Sequence, residues 1–171
     1  VESEPGKGSA FHVYLPATDS ITTATRTNLA AVVKGSGTFL VMDDEEGVLD
    51  ITKAILEDIG YTVVCKTSGK DTVAFFADEV KANRSIAGVI LDLTIPGGMG
   101  GKEAIKEIRK LCSETPVFVA SGYAEDPVMA KPKEHGFTAS ICKPFKMDEL
   151  TEMLDTHMNP PGGGVRTFRG I

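Results

Sequence analysis

Polar side chains that could carry chemistry follow four separate apolar stretches of this 171-residue sequence. Two acids come first, followed by a third acid, a hydroxyl and an ammonium, in the order Asp43, Asp44, Asp92, Ser121 and Lys143. The apolar stretches before them are short and rich in β-branched residues, which is typical of buried strands. If these strands are parallel neighbours, their carboxyl ends meet at one edge of a sheet, and the five side chains converge there.

The three carboxylates would repel one another unless a cation lay among them. Two carboxylates about 4 Å apart repel by about 4 kcal/mol at an effective dielectric constant near 20. Oxygen ligands that leave room for water and substrate oxygens suit Mg²⁺ better than zinc or a calcium cage. Asp92 could then act as a nucleophile toward a phosphoryl group, with Lys143 and Ser121 holding the phosphoryl oxygens. Taken alone, Asp92 fits the role of a loop cap equally well.

The elements that must position these side chains alternate along the chain. Apolar runs predict five strands, at residues 38–42, 61–65, 86–91, 116–120 and 140–142. Apolar residues at helical spacing predict helices at about 48–59, 71–82, 102–111 and 147–157, with Ile51, Val80 and Leu111 among the residues that face the core. The alternation predicts an α/β fold: a doubly wound five-stranded parallel sheet with helices on both faces and right-handed crossovers.

Two connecting segments are expected to be irregular. Asp126 followed by Pro127 predicts the start of a helix, but Pro132 falls about one turn later and should break or kink it. The glycine-rich run Gly97–Gly101 after Asp92 predicts a flexible loop over the site, and its spacing does not match a nucleotide-binding motif.

The two ends of the sequence differ from this regular centre. A Pro-Gly-Lys-Gly turn at residues 5–8 and apolar alternation over 11–15 predict a β-hairpin. Residues 17–37 are rich in Thr, Ser and Ala and predict a linker, whereas the Pro- and Gly-rich residues 159–171 predict a disordered tail. We therefore expect the alternating domain to occupy residues 38–158.

Composition narrows the functional classes. The formal net charge of −6 argues against a general nucleic-acid binder, so no nucleic-acid partner is expected. Three cysteines without a C-x-x-C pair indicate neither a disulfide framework nor a zinc site, and favour a reducing cytoplasm. Cys65 and Cys142 are predicted to be buried apolar residues of strands. The absence of a long apolar run predicts no direct membrane contact by this chain.

The ordered set of motifs resembles the receiver domain of two-component response regulators over residues 38 to 157. The matching features are the turn Asp43-Asp44-Glu45, Asp92 with Pro96 and Gly100 after it, Ser121 behind a small residue, and Lys143-Pro144-Phe145. Each motif is weak alone, but the set at these spacings is specific. The resemblance implies the flavodoxin-like receiver fold.

The resemblance also implies a role for each site residue. Asp92 is expected to be the phospho-acceptor, Asp44 a direct Mg²⁺ ligand and Asp43 a ligand through water. The backbone carbonyl of Thr94 would complete the protein ligands of the metal. In this family the bond that corresponds to Lys143-Pro144 is usually cis, a form that costs little before proline.

Residues 1–16 resemble a different part of signalling proteins. Their Ser-Glu-Pro-Gly-Lys-Gly turn and terminal Leu-Pro are similar to the closing strands of the ATP-binding domain of sensor histidine kinases. This order implies a fragment of a hybrid sensor histidine kinase whose parent could be membrane-tethered. The implied partner is a histidine kinase phosphohistidine domain, in cis or in trans, and a histidine phosphotransfer protein is a second candidate. The nucleotide-binding motifs of that kinase family would precede Val1, so ATP binding of this kind is not expected of these residues.

Two alternative functions and one departure from the family remain. A haloacid-dehalogenase-like phosphatase also uses a strand-end aspartate, but its D-x-D pattern needs an acid where this sequence has Thr94. A phosphorylation-independent receiver used for docking is the other alternative. Ser140 stands where the family most often has an aromatic residue that moves on phosphorylation, so we expect weak signalling through that face.

Overall fold

The computed structural model describes residues 1–14 and 35–158. Residues 17–34 of the predicted linker and the whole predicted tail at 159–171 lie outside the described residues. The domain boundaries therefore stay predictions. Residues 1–14 contain an antiparallel hairpin of strands β1 (Glu2–Glu4) and β2 (Gly8–Ala10). The second strand ends earlier than expected, since Phe11 is 74% exposed and gains nothing from extended pairing.

Five parallel strands form the sheet of the second described part. They are β3 (Thr38–Met42), β4 (Thr62–Lys66), β5 (Ile86–Asp92), β6 (Val117–Ser121) and β7 (Ala139–Cys142). Their order in the sheet is β4-β3-β5-β6-β7, and every neighbouring pair is parallel. The predicted doubly wound sheet is confirmed, and β5, which ends in Asp92, lies at its centre.

The helices begin and end close to the predicted positions. They are α1 (Glu46–Asp58), α2 (Gly69–Lys81), α3 (Gly101–Leu111), α4 (Pro127–Ala130) and α5 (Met147–Met158). The expected break after α4 is confirmed, because Pro132 starts a separate 3₁₀ turn that ends at His135. Among the described residues, no helix has the length and apolarity needed to cross a membrane.

Both faces of the sheet are buried, which explains why its strands are almost continuously apolar. Alternate residues of β3 point to opposite faces. Leu40 and Met42 belong to a core cluster that includes Ile105 of α3 and Met129 of α4. On the other face Phe39 and Phe118 stack at 6.5 Å, and the ring of His157 in α5 lies 6.3 Å from Phe118.

Three predicted core residues are exposed instead. Ile51 of α1 is 59% exposed, and Val80 of α2 and Leu111 of α3 are also exposed. In α1 the buried face consists of Leu49, Thr52, Ile55 and Leu56. The prediction was wrong for Ile51 because a buried threonine continues this stripe, so Ile51 lies outside it. Val80 and Leu111 lie in the last turns of α2 and α3.

The loop after Asp92 is more tightly packed than predicted. Gly100 and Gly101 are buried, and the Gly101 amide donates to the carbonyl of Leu93 at 3.1 Å. A Cβ atom on Gly101 would lie only 2.7 Å from the carbonyl oxygen of Asp92. The prediction of a flexible loop is therefore wrong for these two glycines, since their backbone packs directly on the end of β5.

The cysteines depart from their predicted burial. Cys142, the last residue of β7, is exposed, and Cys65 in the edge strand β4 is only partly buried. Both lie where the sheet ends, at a strand terminus or at an edge, so neighbouring strands cover them incompletely.

Tyr61, just before β4, contacts both ends of the described second part. A Cβ atom on Gly35 would overlap the Tyr61 ring, and the Gly35 amide donates to the carbonyl of Ile59 at 2.8 Å. The Tyr61 hydroxyl donates to the sulfur of Met158 at 3.9 Å. The ring itself packs edge-on against Phe39, with the centroids 4.8 Å apart. The ring thus anchors residues at the start and the end of this part to the core.

Two glycine substitutions test this packing. A Cβ atom on Gly88 would lie 2.4 Å from the Phe39 ring, so Gly88→Ala should lower the free energy of unfolding by about 1–3 kcal/mol. Gly47 in the first turn of α1 has open space around it, so Gly47→Ala should raise that free energy by about 0.5–1 kcal/mol. Urea unfolding of both variants measures the two effects, and equal midpoints would contradict the described core.

Candidate functional site

Three carboxylates meet at the carboxyl edge of the sheet. Asp43 and Asp44 follow β3, and Asp92 ends the adjacent strand β5. One carboxylate oxygen from each residue lies within 4.8 Å of the other two. Asp43 and Asp92 are buried, whereas Asp44 is exposed. The structure thus brings together the three acids that the sequence placed at this edge.

The ammonium of Lys143 lies between two of these acids. It donates hydrogen bonds to Asp92 Oδ1 at 2.7 Å and to Asp43 Oδ2. The Lys143 amide donates to the carbonyl of Ser121 at 2.8 Å, which fixes the backbone from which this side chain reaches. The Lys143-Pro144 bond is cis, as predicted.

Burial and charge act in opposite directions on these groups. Burial raises the pKa of Asp92 above its usual value, and the hydrogen bond and charge of Lys143 offset this effect only in part. Burial also disfavours the charged form of Lys143, but hydrogen bonds to Asp43 and Asp92 and their charges outweigh it and raise the Lys143 pKa. Lys143 therefore stays protonated, and one ammonium faces three carboxylates.

The two oxygens of Asp43 are both engaged. Oδ2 accepts from Lys143, and Oδ1 accepts from the Glu45 amide at 3.1 Å. The backbone of Asp43 is held as well, since its amide donates to the carbonyl of Lys66 at 3.1 Å. Asp43 is thus fixed in position, while the exposed carboxylate of Asp44 is free to meet a ligand from solvent.

Ser121 ends β6, the strand next to β5. Ala120 pairs with Asp92, so the buried Ser121 lies one residue beyond the nucleophile candidate in this register. Its Oγ accepts a hydrogen bond from the Tyr123 amide at 3.1 Å. Because a serine hydroxyl can accept and donate at once, its O–H remains available for an incoming oxygen.

A cavity of about 610 Å³ opens over these groups. Its polar side includes Asp44, Asp92, Thr94 and Lys143. Its apolar side is formed by Val48, Ile51, Pro96, Tyr123, Pro144 and Phe145. A buried carboxylate is therefore reached through an opening that is largely apolar.

Sequence reasoning missed two parts of this region. Ile51 was assigned to the core because its spacing fits a helix stripe, and only the buried Thr52 in that stripe indicates otherwise. The ion pair between Lys102 and Asp126, with Nζ and Oδ2 2.8 Å apart, joins residues that are 24 positions apart. No local sequence pattern predicts this contact, because it depends on how α3 and α4 lie in the fold.

Comparison with known proteins adds a family model. Residues 39–155 match the model described as the response regulator receiver domain. The response regulator protein TodT of Pseudomonas putida is 28% identical over 126 residues, which cover 73% of this chain and 52% of that protein. The sensor kinase CckA of Brucella abortus is 29% identical over 167 residues, covering 90% of this chain and 17% of the kinase. The chain thus spans about half the length, or less, of these curated relatives.

Solved structures share the fold. A CheY-like response regulator receiver domain protein from Methanospirillum hungatei is 26% identical, with a TM-score of 0.61, over 71% of this chain and 93% of that one. The receiver domain of the sensor histidine kinase PA1611 from Pseudomonas aeruginosa, solved with a magnesium ion in its active-site cleft, is 21% identical. It has a TM-score of 0.62 over 72% of this chain and 98% of that one.

Removal of one charge from the acid cluster tests its electrostatics. In the presence of a chelator at pH 7, Asp92→Asn should raise the free energy of unfolding by about 1 kcal/mol, because burial disfavours the ionised carboxylate. Asp50→Asn, an exposed substitution in α1, should change it by less than about 0.5 kcal/mol. Urea unfolding measures both, and a clear loss of stability in Asp92→Asn would contradict the excess of negative charge.

Proposed function

The chain belongs to the response regulator receiver domain family, and on this premise we propose that Asp92 accepts a phosphoryl group from a phosphohistidine. The observation that carries the proposal is the position of Asp92, a buried carboxylate at a strand end, hydrogen-bonded to the Lys143 ammonium and open to a cavity. The longer protein would use this acceptance in two-component signal transduction.

The proposed step is a phosphoryl transfer between two side chains. An oxygen of Asp92 forms a bond to phosphorus as the phosphorus–nitrogen bond of the phosphohistidine breaks. The bonding pair stays with the imidazole nitrogen, which takes up a proton, and an aspartyl phosphate remains on Asp92. In this proposal Lys143 would offset charge on the phosphoryl oxygens, and the Ser121 hydroxyl would donate to one of them.

The acid cluster fits Mg²⁺, which we include in the proposal. Asp43, Asp44 and Asp92 offer oxygen atoms alone, within 4.8 Å of one another, and such hard ligands suit this cation. Because both oxygens of Asp43 are engaged, a role through water fits Asp43, and direct contact fits the exposed Asp44. We assign the backbone carbonyl of Thr94 as a further ligand by family resemblance. When bound, Mg²⁺ supplies the positive charge that one ammonium cannot.

The apolar rim of the cavity supports the proposal that a protein partner binds at its opening. Ile51 is 59% exposed and Tyr123 is 73% exposed, and both line the opening that leads to Asp92. Exposed apolar side chains grouped around a reactive group are typical of an interaction surface. We propose that a histidine kinase phosphohistidine domain binds here, in cis or in trans, with a histidine phosphotransfer protein as a second candidate.

The longer protein is proposed to be a hybrid sensor histidine kinase. The similarity to the sensor kinase CckA extends over 90% of this chain, more than the receiver-domain match covers. The hairpin of β1 and β2 fits the resemblance of residues 1–16 to the end of a kinase ATP-binding domain. Kinase activity is proposed for the longer protein only, whereas phosphoryl acceptance is proposed for residues 38–158.

Intact mass after incubation with acetyl phosphate and Mg²⁺ tests the proposal. The wild-type chain should gain the mass of one phosphoryl group, Asp92→Asn should gain none, and the exposed-site control Asp50→Asn should behave as wild type. A chelator should abolish the gain, because the acid cluster then lacks its counter-charge. No gain in the wild-type chain would overturn the proposal and favour the alternative of a phosphorylation-independent docking module.

The contact of Ser140 allows a test of whether phosphorylation changes the structure beyond the site. Its Oγ donates to the carbonyl of Met129 in α4 at 2.8 Å, so this residue ties β7 to the short helix and cannot move as an aromatic ring would. With Mg²⁺ and beryllofluoride as a phosphoryl mimic, backbone NMR shifts should change at residues 92–94 and 121–123 and little at 127–130 and 139–142. Ser140→Ala should enlarge the changes in the latter two segments. Large changes there in the wild-type chain would show that this face does switch.

A further inference from the structure

The loop between β6 and α4 receives little support from packing. Residues 122–125 are all exposed, and Tyr123 is 73% exposed. A Cβ atom on Gly122 would meet nothing within 4 Å. This same loop nevertheless provides the Tyr123 amide that binds the hydroxyl oxygen of Ser121. Its position must therefore come from hydrogen bonds rather than from apolar contacts.

Asp126 supplies these hydrogen bonds at the far end of the loop. Its amide donates to the carbonyl of Tyr123 at 3.2 Å, and its Oδ1 accepts from the Val128 amide at 2.9 Å as the cap of α4. Asp126 thus binds the carbonyl of Tyr123, and the amide of Tyr123 binds the hydroxyl oxygen of Ser121. The three residues form a continuous hydrogen-bonded chain from the start of α4 to the site.

Lys102 connects this chain to the strand that carries Asp92. Its Nζ lies 2.8 Å from Asp126 Oδ2, the carboxylate oxygen not used for capping. Lys102 directly follows Gly101, whose backbone packs on the carbonyl of Asp92 and leaves no room for a side chain. The base of the Lys102 side chain is therefore fixed relative to the proposed nucleophile.

We propose that Lys102 is a positioning residue for phosphoryl acceptance, which acts through Asp126 and Tyr123 to hold the Ser121 hydroxyl in one rotamer. A serine side chain has three staggered rotamers, and the hydrogen bond from the Tyr123 amide selects one of them. In that rotamer the Ser121 O–H is free to donate to a phosphoryl oxygen. The inference rests on the proposed function of Asp92, but it concerns residues outside the acid cluster.

The ion pair can act locally without stabilising the whole domain. The Lys102 side chain is 44% exposed and that of Asp126 is 20% exposed, and exposed ion pairs contribute little to global stability. Lys102 also lies in the first turn of α3, where the helix dipole disfavours a positive charge. Loss of this charge should therefore leave the free energy of unfolding nearly unchanged while it releases the loop.

The experiment compares Lys102→Met with Lys106→Met, an exposed substitution one turn further along α3. The rate of phosphorylation by acetyl phosphate should fall about threefold in Lys102→Met, as expected from loss of an exposed ion pair, and should not change in Lys106→Met. Asp126→Asn should show a similar fall, and the double variant should be no slower than either single one. Lys102→Arg should retain the wild-type rate. Mg²⁺ affinity and the free energy of unfolding should stay within error in Lys102→Met.

A second measurement does not depend on phosphorylation. The NMR couplings between Hα and Hβ of Ser121 should indicate one rotamer in the wild-type chain and in Lys106→Met, and averaging in Lys102→Met. Unchanged couplings in Lys102→Met would overturn the inference whatever the phosphorylation rate. If the wild-type chain is phosphorylated, an unchanged phosphorylation rate in Lys102→Met would also overturn it. A joint loss of Mg²⁺ affinity and stability would also overturn it, because it would indicate a general structural role. If the wild-type chain takes up no phosphoryl group, the proposed function fails and the couplings alone decide whether Lys102 positions Ser121.

Discussion

The hydrogen bonds of one ammonium to two buried carboxylates are the interaction on which the rest of this site depends. Without Lys143, Asp43 and Asp92 would face each other in a poorly solvated space, and burial of unpaired charges is costly. With it, the three acids can be kept close together although their net charge stays negative. The folded domain can therefore accommodate the acid cluster, although the cluster keeps a net negative charge. In the proposed function, a bound Mg²⁺ would balance this negative charge.

The sheet explains how such a cluster can be held at all. Lys143 follows β7 and Asp43 follows β3, and two strands, β5 and β6, lie between these in the sheet. The packed side chains on both faces of each strand hold its register, because a shift by one residue would move each side chain into the differently shaped packing of the opposite face. Gly100 and Gly101 add a close backbone contact at the end of β5. Packing by residues that take no part in the proposed chemistry thus sets the distances among the polar side chains of the site.

Much of this arrangement could be predicted from the sequence, for physical reasons that also mark the limit. Strand ends followed by polar residues are local signals, and the carboxyl ends of parallel strands must meet, so the five site residues could be named in advance. The exposure of Ile51, Leu111 and Cys142 could not, since it depends on which residues of each element the rest of the fold covers. The tight fit of Gly101 and the contact of Lys102 with Asp126 are likewise properties of tertiary packing, which short-range patterns do not encode.

The ring of Tyr61 brings together the places where the chain enters and leaves the sheet domain. Gly35 lies on this ring and Met158 accepts its hydroxyl hydrogen bond, so entry and exit share one anchor. A domain with adjacent termini can be joined into a longer polypeptide with little disturbance to the flanking segments. In evolutionary terms, an aromatic anchor of this kind suits a unit that is moved between proteins by gene fusion.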